Sequence, residues 1–280
     1  MKRTAIAIVA LLSLTEPLFA RAWLKTVGAA QKEAKQKNQL IFVDLFAEWC
    51  GWCHRMEQEV FPSEKFQLAT KDMVLLRVDT EDKGEGTKLG RDFNITSLPT
   101  FLVLTPDMLV AGIIMGYAPS AQFTERLATV RKQYVTFQKK MEQAAETPKD
   151  FQARVEVATE LNVRRGYARA EARLAKLLTE KGVPATVRDE AYYQLAVSQL
   201  SQNKYDVALK TLKTFSSVQS KGDTYVRSRF LLGQLYVDQG KYKTALDEFR
   251  NFKRNYPTSP LVRDVESYVS QLERLSSAGN

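Results

Sequence analysis

The sequence predicts an α/β domain, a mixed sheet flanked by helices, followed by an all-α array of helical repeats. Three observations predict it. Up to about Tyr134 the apolar residues alternate between strand and helix periods. Beyond Thr147-Pro148 the pattern is nearly continuous helix. Within that second half Tyr-x-x-Ala recurs at Tyr167/Ala170, Tyr205/Ala208 and Tyr242/Ala245, spaced by 38 and 37 residues, the period of a helix-pair repeat.

Taken in order, Trp23 to Lys37 reads as an amphipathic helix and Leu40 to Phe46 as a buried strand. A helix is expected from Cys50 to about Thr70, and a second strand from Met73 to Asp79. The flexible stretch Lys83-Gly84-Glu85-Gly86 leads to a short helix ending near Phe93. Thr100 to Leu104 and Leu109 to Met115 read as a hairpin around the turn Thr105-Pro106-Asp107-Met108. After Pro119, with Ser120 as N-cap, a helix runs out of the domain. The first domain is thus expected over residues 23–147, because proline at 148 disfavours helical geometry at Thr147.

Residues 148–280 are expected to hold three repeats, about 151–188, 189–225 and 226–259, with a capping helix over 260–276. The last unit is the clearest. Its Leu232-Gly233, Tyr236, Gly240, Tyr242, Ala245, Phe249 and Pro257 resemble the tetratricopeptide pattern at matching spacings. Gly233 and Ala245 let paired helices approach closely, and Pro257 ends the second helix. The repeated Tyr and Ala are read as packing residues and are assigned no site. Such an array offers a concave surface, so a protein or peptide partner is expected on it.

With 280 residues, 44% of them hydrophobic, the chain can bury two cores. The net charge is +9. Removal of the first 22 residues takes away Lys2, Arg3 and Arg21 against Glu16, leaving 38 basic and 31 acidic residues and a net +7. No basic block or base-stacking motif accompanies this excess, so nucleic acid is excluded as a partner. Met1-Lys2-Arg3, the apolar Thr4 to Leu14 and the small-residue site Ala20-Arg21-Ala22 follow the plan of a secretory signal peptide over residues 1–22. Its apolar core is about half of the ~20 residues a membrane span needs. Cleavage after Ala20 or Ala22 is expected, leaving a chain without a membrane span in the periplasm or another extracytoplasmic compartment where disulfides persist.

The chain has two cysteines, and they stand together in Trp49-Cys50-Gly51-Trp52-Cys53. Two cysteines so placed form one local element rather than a disulfide framework. At a helix start the first thiol lies beside unpaired backbone N–H groups and the positive helix end, which lowers its pKa and makes Cys50 a thiolate nucleophile. Cys53, about one turn in and more shielded, is placed to attack a mixed disulfide formed by Cys50. The strand before the pair and the helical pattern after it fit this use. Asp44 sits among Val43, Leu45 and Phe46, where a buried lone carboxylate needs a purpose. Trp49 and Trp52 suit either packing or an aromatic rim for a protein substrate.

The segment from Val43 to Cys53, Val-Asp-Leu-Phe-Ala-Glu-Trp-Cys-Gly-Trp-Cys, resembles the active site of the thioredoxin family. The resemblance spans roughly residues 23–134 and includes Leu98-Pro99-Thr100, similar to the family's cis-proline segment, and Gly116 after the hairpin. It implies a thioredoxin-like fold and a redox-active disulfide between Cys50 and Cys53. It also implies Asp44 as a buried carboxylate that takes the proton of Cys53, and Leu98 and Pro99 as a substrate-binding segment. Trp52 departs from the proline of thioredoxins proper. Since that dipeptide tunes thiolate stability, the resemblance covers reductants and oxidants alike. The run from Trp23 through Cys53-His54-Arg55-Met56 is more similar to exported thioredoxin-like proteins than to cytosolic thioredoxin.

Cys50 to His54 also reads as the Cys-x-x-Cys-His of c-type haem attachment, with Met56, Met73 or Met115 as a second ligand. Haem leaves the strand, Asp44 and Leu98-Pro99 unexplained, so no cofactor is expected. His54 is the one histidine, and no metal site is expected. Two function classes follow. One is an exported thiol-disulfide oxidoreductase acting on protein disulfides and recycled by a redox partner. The other is an interaction scaffold whose redox site is accessory or regulatory.

Overall fold

The computed structural model describes residues 22–218 and 222–278. Apart from Ala22, the expected signal peptide lies outside the described residues. The first elements are α1 (Val27–Lys37), β1 (Leu40–Phe46), α2 (Gly51–Arg55), a π-helical turn (Met56–Val60), α3 (Glu64–Ala69) and β2 (Met73–Asp79). Then come α4 (Glu85–Asp92), β3 (Thr100–Leu104), β4 (Val110–Met115) and α5 (Ser120–Glu146). The strands form a four-stranded sheet in the order β2-β1-β3-β4, with β1 and β2 parallel. Parallel neighbours require a crossover, which the α2-to-α3 segment supplies.

Two boundaries differ from the sequence reading. Trp23 to Thr26 is not helical. Leu24 instead bridges β2, its N–H donating to Leu75 O at 2.9 Å and its carbonyl accepting from Arg77 N at 3.0 Å. The helix starts only where Thr26 Oγ1 caps it by accepting from Ala29 N. The expected helix from Cys50 to Thr70 is broken in the middle. Phe61 is still helical, but Ser63 after Pro62 is extended and caps α3 by accepting from Phe66 N at 3.3 Å.

The chain divides into two compact units, Met1–Phe101 with Ile114–Leu127, and Leu102–Ile113 with Ala128–Asn280. In the first, Phe42, Phe66, Phe101 and Phe123 are fully buried, with Phe42 and Phe101 stacked at 5.6 Å and Phe101 and Phe123 edge-on at 4.8 Å. Burial of each such ring is worth about 1.5–3 kcal/mol. This core fixes β1, and with it the positions of Asp44 and the turn that carries the cysteines.

In the second unit three helix pairs follow: α6 (Phe151–Val163) with α7 (Tyr167–Leu178), α8 (Ala185–Leu200) with α9 (Tyr205–Ser217), and α10 (Asp223–Asp238) with α11 (Tyr242–Asn255). The last helix, α12, spans Val262–Ala278. A Cβ on Gly233 would lie 2.5 Å from the Phe249 ring, so glycine there sets the approach of α10 to α11. Ala170, Ala208 and Ala245 are fully buried, as packing residues should be. None of their partner tyrosines is: Tyr167 is half-buried, Tyr205 38% and Tyr242 49% exposed. Each opens its helix, where the side chain reaches past the packed face into solvent.

The α6–α7 turn is tied to β4. Val110 N donates to Arg164 O at 2.9 Å, while Arg164 Nη1 donates to the carbonyls of Val110 and Ala111 at 3.0 and 2.8 Å. The Arg164 guanidinium also lies over the Phe137 ring, 4.7 Å from its centroid. Among the described residues, no helix is long and apolar enough to cross a membrane.

Candidate active site

Cys50 is the N-cap of α2 and is disulfide-bonded to Cys53. Its Sγ accepts from Cys53 N at 3.1 Å, and its carbonyl accepts from the N–H groups of Cys53 and His54. A thiolate at this position would therefore meet a helical N–H directly, which favours the charged form. In the oxidised pair both cysteines are buried. Cys50 is 4% and Cys53 1% exposed, both packed with Ala47 against Phe46 and Leu98. The ordering of the two still favours Cys50.

Asp44 on β1 is the register partner of Arg77 on β2. The carboxylate is 1% exposed, and burial raises its pKa from 3.8 to about 7, against the lowering pull of Arg77. Arg77 Nε stands 3.1 Å from Asp44 Oδ2. The pair is close enough for attraction but not aligned, and among the described residues neither carboxylate oxygen nor Nε has a hydrogen-bond partner. The fork of the guanidinium instead grips Glu57, Nη2 to Oε2 at 2.9 Å and Nη1 to Oε1 at 2.5 Å. Those bonds hold the Glu57 carboxyl below its usual range. The Phe46 ring lies beneath the guanidinium at 4.2 Å.

The two tryptophans flank the disulfide as a rim rather than as core. Trp49 is 68% exposed, with Nε1 donating to Glu81 Oε1 at 2.7 Å. Trp52 is 55% exposed and leans on Tyr117, ring centroids 5.2 Å apart. Arg55 lies over both rings and pairs with Glu59 at 2.8 Å, and Tyr117 donates to the same carboxylate. His54 Nε2 donates to Glu48 O at 2.8 Å, a local tie of the active-site turn.

The Leu98–Pro99 peptide bond is cis. Leu98 packs on the cysteine cluster, so the structure brings it to the disulfide. Pro99 is buried, and its carbonyl is occupied by Gly116 N at 2.8 Å. Of the methionines weighed as haem ligands, Met56 and Met73 are in the core and Met115 faces outward. Among the described residues, no group of three or more His, Cys, Asp or Glu side chains is arranged to hold a metal ion.

Arg77, Glu57, Tyr117, Arg55, Glu59 and Glu81 were not legible as site residues. Only Arg77 left a signal: a lone cation in an apolar strand, matching the lone acid of the strand before it.

A family model described as a thioredoxin-like domain matches residues 27–131, and one described as a tetratricopeptide repeat matches 190–217 and 227–259. The thiol:disulfide interchange protein DsbD of Yersinia pestis (strain Pestoides F) is 30% identical over 97 residues, 34% of this chain and 16% of that protein. Thioredoxin 1 of Plasmodium falciparum (isolate 3D7) is 45% identical over 67 residues, 24% of this chain and 59% of that protein. The solution structure of a thioredoxin from Thermus thermophilus superposes with a TM-score of 0.36 at 23% identity, covering 40% of this chain and 87% of that one. The chain thus spans 16% of the length of the first of these relatives. Residues 27–131 are a thioredoxin-like domain, and residues 190–217 and 227–259 are tetratricopeptide repeats.

Proposed function

We propose that this chain is an exported thiol-disulfide oxidoreductase that exchanges disulfides with proteins through Cys50 and Cys53, while its repeats hold a protein partner. The single observation that carries the reading is Cys50 at the N-cap of α2, its sulfur accepting the Cys53 N–H, with the buried carboxylate of Asp44 in the strand that leads into the cysteine turn.

In the reduced protein the Cys50 thiolate attacks one sulfur of a substrate disulfide, and the other substrate sulfur leaves as a thiolate. Asp44 accepts the proton of the Cys53 thiol, and a carboxyl titrating at about 7 is suited to hold and return it near neutral pH. The Cys53 thiolate then attacks Cys50 Sγ. That step forms the intramolecular disulfide and releases the substrate as a dithiol. Run backwards, the same steps oxidise a dithiol substrate. A second dithiol or disulfide protein restores the starting state. Trp49, Trp52 and Leu98 would border the substrate chain. The boundary at residues 147 and 148, the leader over 1–22 and an extracytoplasmic site are parts of the same proposal.

The scaffold reading differs in one respect that can be measured: it survives loss of the dithiol. Reduction of insulin disulfides by the reduced protein tests the point. The wild-type chain should turn over, and Cys50→Ser should fall to the uncatalysed rate. Equal rates for both proteins would leave only the scaffold.

A further inference from the structure

We propose that the second unit binds an acidic peptide segment in a groove where the end of α5 meets α6 and α7, with Arg173 and Lys176 taking its carboxylates. The open groove has a volume of about 680 Å³ and is lined by Ala144, Ala145, Pro148, Arg154, Ala172, Arg173, Lys176 and Glu180. That volume lies in the range of roughly 300–1,000 Å³ typical of ligand pockets and far exceeds one inorganic anion.

The charges are unbalanced in a specific way. Glu180 is the one acid of the lining, and it is already engaged: Arg154 Nη1 donates to it at 2.8 Å and Nη2 at 2.5 Å. Arg154 also donates to Pro148 O, so this cation holds the wall together. Arg173 has no such occupation. Among the described residues it has neither a carboxylate nor a hydrogen-bond acceptor. Partial desolvation, and then the like charges of Arg169 and Arg154, hold its pKa below the ordinary arginine value. A guanidinium in that state gains most from an incoming carboxylate, with which it pairs bidentately. Lys176 stands one turn along α7 on the same side, and Ala144, Ala145, Ala172 and Pro148 supply an apolar floor for peptide stems. Cations spaced along a helix above an apolar floor fit a chain with repeated carboxylates better than a single small anion. Arg173 and Lys176 are exposed along the groove, where an incoming chain can reach them.

This inference deepens the reading of the repeats as a protein-binding array and does not rest on the dithiol. Fluorescence anisotropy of labelled hexaglutamate with the intact chain tests it, with hexaglutamine as the neutral control and inorganic phosphate as competitor. Alanine is a strong helix former, so Arg173→Ala and Lys176→Ala should keep α7, and circular dichroism checks that they do. The expected result is binding of hexaglutamate, none of hexaglutamine, and an affinity about tenfold weaker in Arg173→Ala, as for loss of one charge-assisted pair. Arg173→Lys should recover part of it. An unchanged affinity in the Arg173/Lys176 double variant overturns the site, and displacement by phosphate at equal concentration overturns the peptide class. Insulin reduction by the same variants should equal wild type, so a failure of binding and a failure of the redox reading are read separately.

Discussion

Asp44 and Arg77 face each other in register across β1 and β2, 3.1 Å apart, yet no hydrogen bond joins them because the fork of Arg77 is turned to Glu57. Glu57 lies in the π-helical turn that continues from the cysteine helix. The charge felt by the buried carboxylate is therefore set partly from the segment that carries the cysteines. A neutralising arginine aligned on Asp44 would keep it ionised. Held off by Glu57, it leaves burial as the dominant influence, and the pKa rises to about 7.

Asp44→Asn should raise stability at alkaline pH while slowing exchange. Since the folded-state pKa is raised from 3.8 to about 7, the native chain holds a proton that the unfolded chain has lost between those values. This group's contribution therefore falls as pH rises through the window, and above it remains a constant penalty on the order of a few kcal/mol. Denaturant unfolding should show the variant more stable than wild type at pH 8 and equal to it at pH 3. The variant's exchange rate should lose its rise through neutral pH. An unaltered pH profile would remove Asp44 from the proton path.

Glu57→Gln should move that rise to lower pH, since the Glu57 charge is one cause of the raised Asp44 pKa. Arg77→Met should move it the other way, by about one unit or more, since it removes the opposing cation. NMR titration of the Asp44 carboxyl carbon would report both displacements, and shifts of the same sign in the two variants would contradict the arrangement.

Gly233→Ala should loosen the last repeat. The new methyl would meet the fully buried Phe249 ring at 2.5 Å, and overpacking of this kind costs about 1–3 kcal/mol. Thermal melting of the helical signal should fall by several degrees. Insulin reduction at 25 °C should stay unchanged, because the substitution lies far along the chain from the cysteines.

Arg164→Ala removes two charge-assisted hydrogen bonds to β4 and the stack on Phe137, and should cost about 2 kcal/mol or more. A fragment of residues 23–147 loses the same bonds, together with the pairing of Val110 N. It should fold and exchange disulfides, but melt below the full chain. If it is unfolded under native conditions, the boundary at 147 and 148 is misplaced.

The sequence made the strands, the cysteine turn, the hairpin and the helix pairs legible, because each has a period or a punctuating residue of its own. The four residues before α1 were misread because Trp23 and Leu24 fit a helical stripe as well as they fit an extended bridge to β2. Only the cap at Thr26 separates the two. The break at Pro62-Ser63 was legible in principle, since proline followed by a capping serine ends one helix and begins another. The rim of Tyr117, Arg55 and Glu59 was not legible. Those residues come from the cysteine helix, its continuation and the end of the hairpin, and only the folded sheet brings them beside Trp52. Exposure of Tyr205 and Tyr242 was likewise hidden, because Tyr-x-x-Ala spacing does not say which member faces the core.

The most direct measurement is capture of the intermediate. Cys53→Ser protein, reduced and mixed with an oxidised protein substrate, should accumulate a disulfide-linked adduct. Peptide mapping should place that link at Cys50, since the resolving thiol is gone and the mixed disulfide cannot collapse. Cys50→Ser should form little adduct at the same pH. Equal adduct from Cys50→Ser through Cys53, or none from either variant while the wild type still reduces insulin, would contradict the assignment of Cys50 as the attacking sulfur.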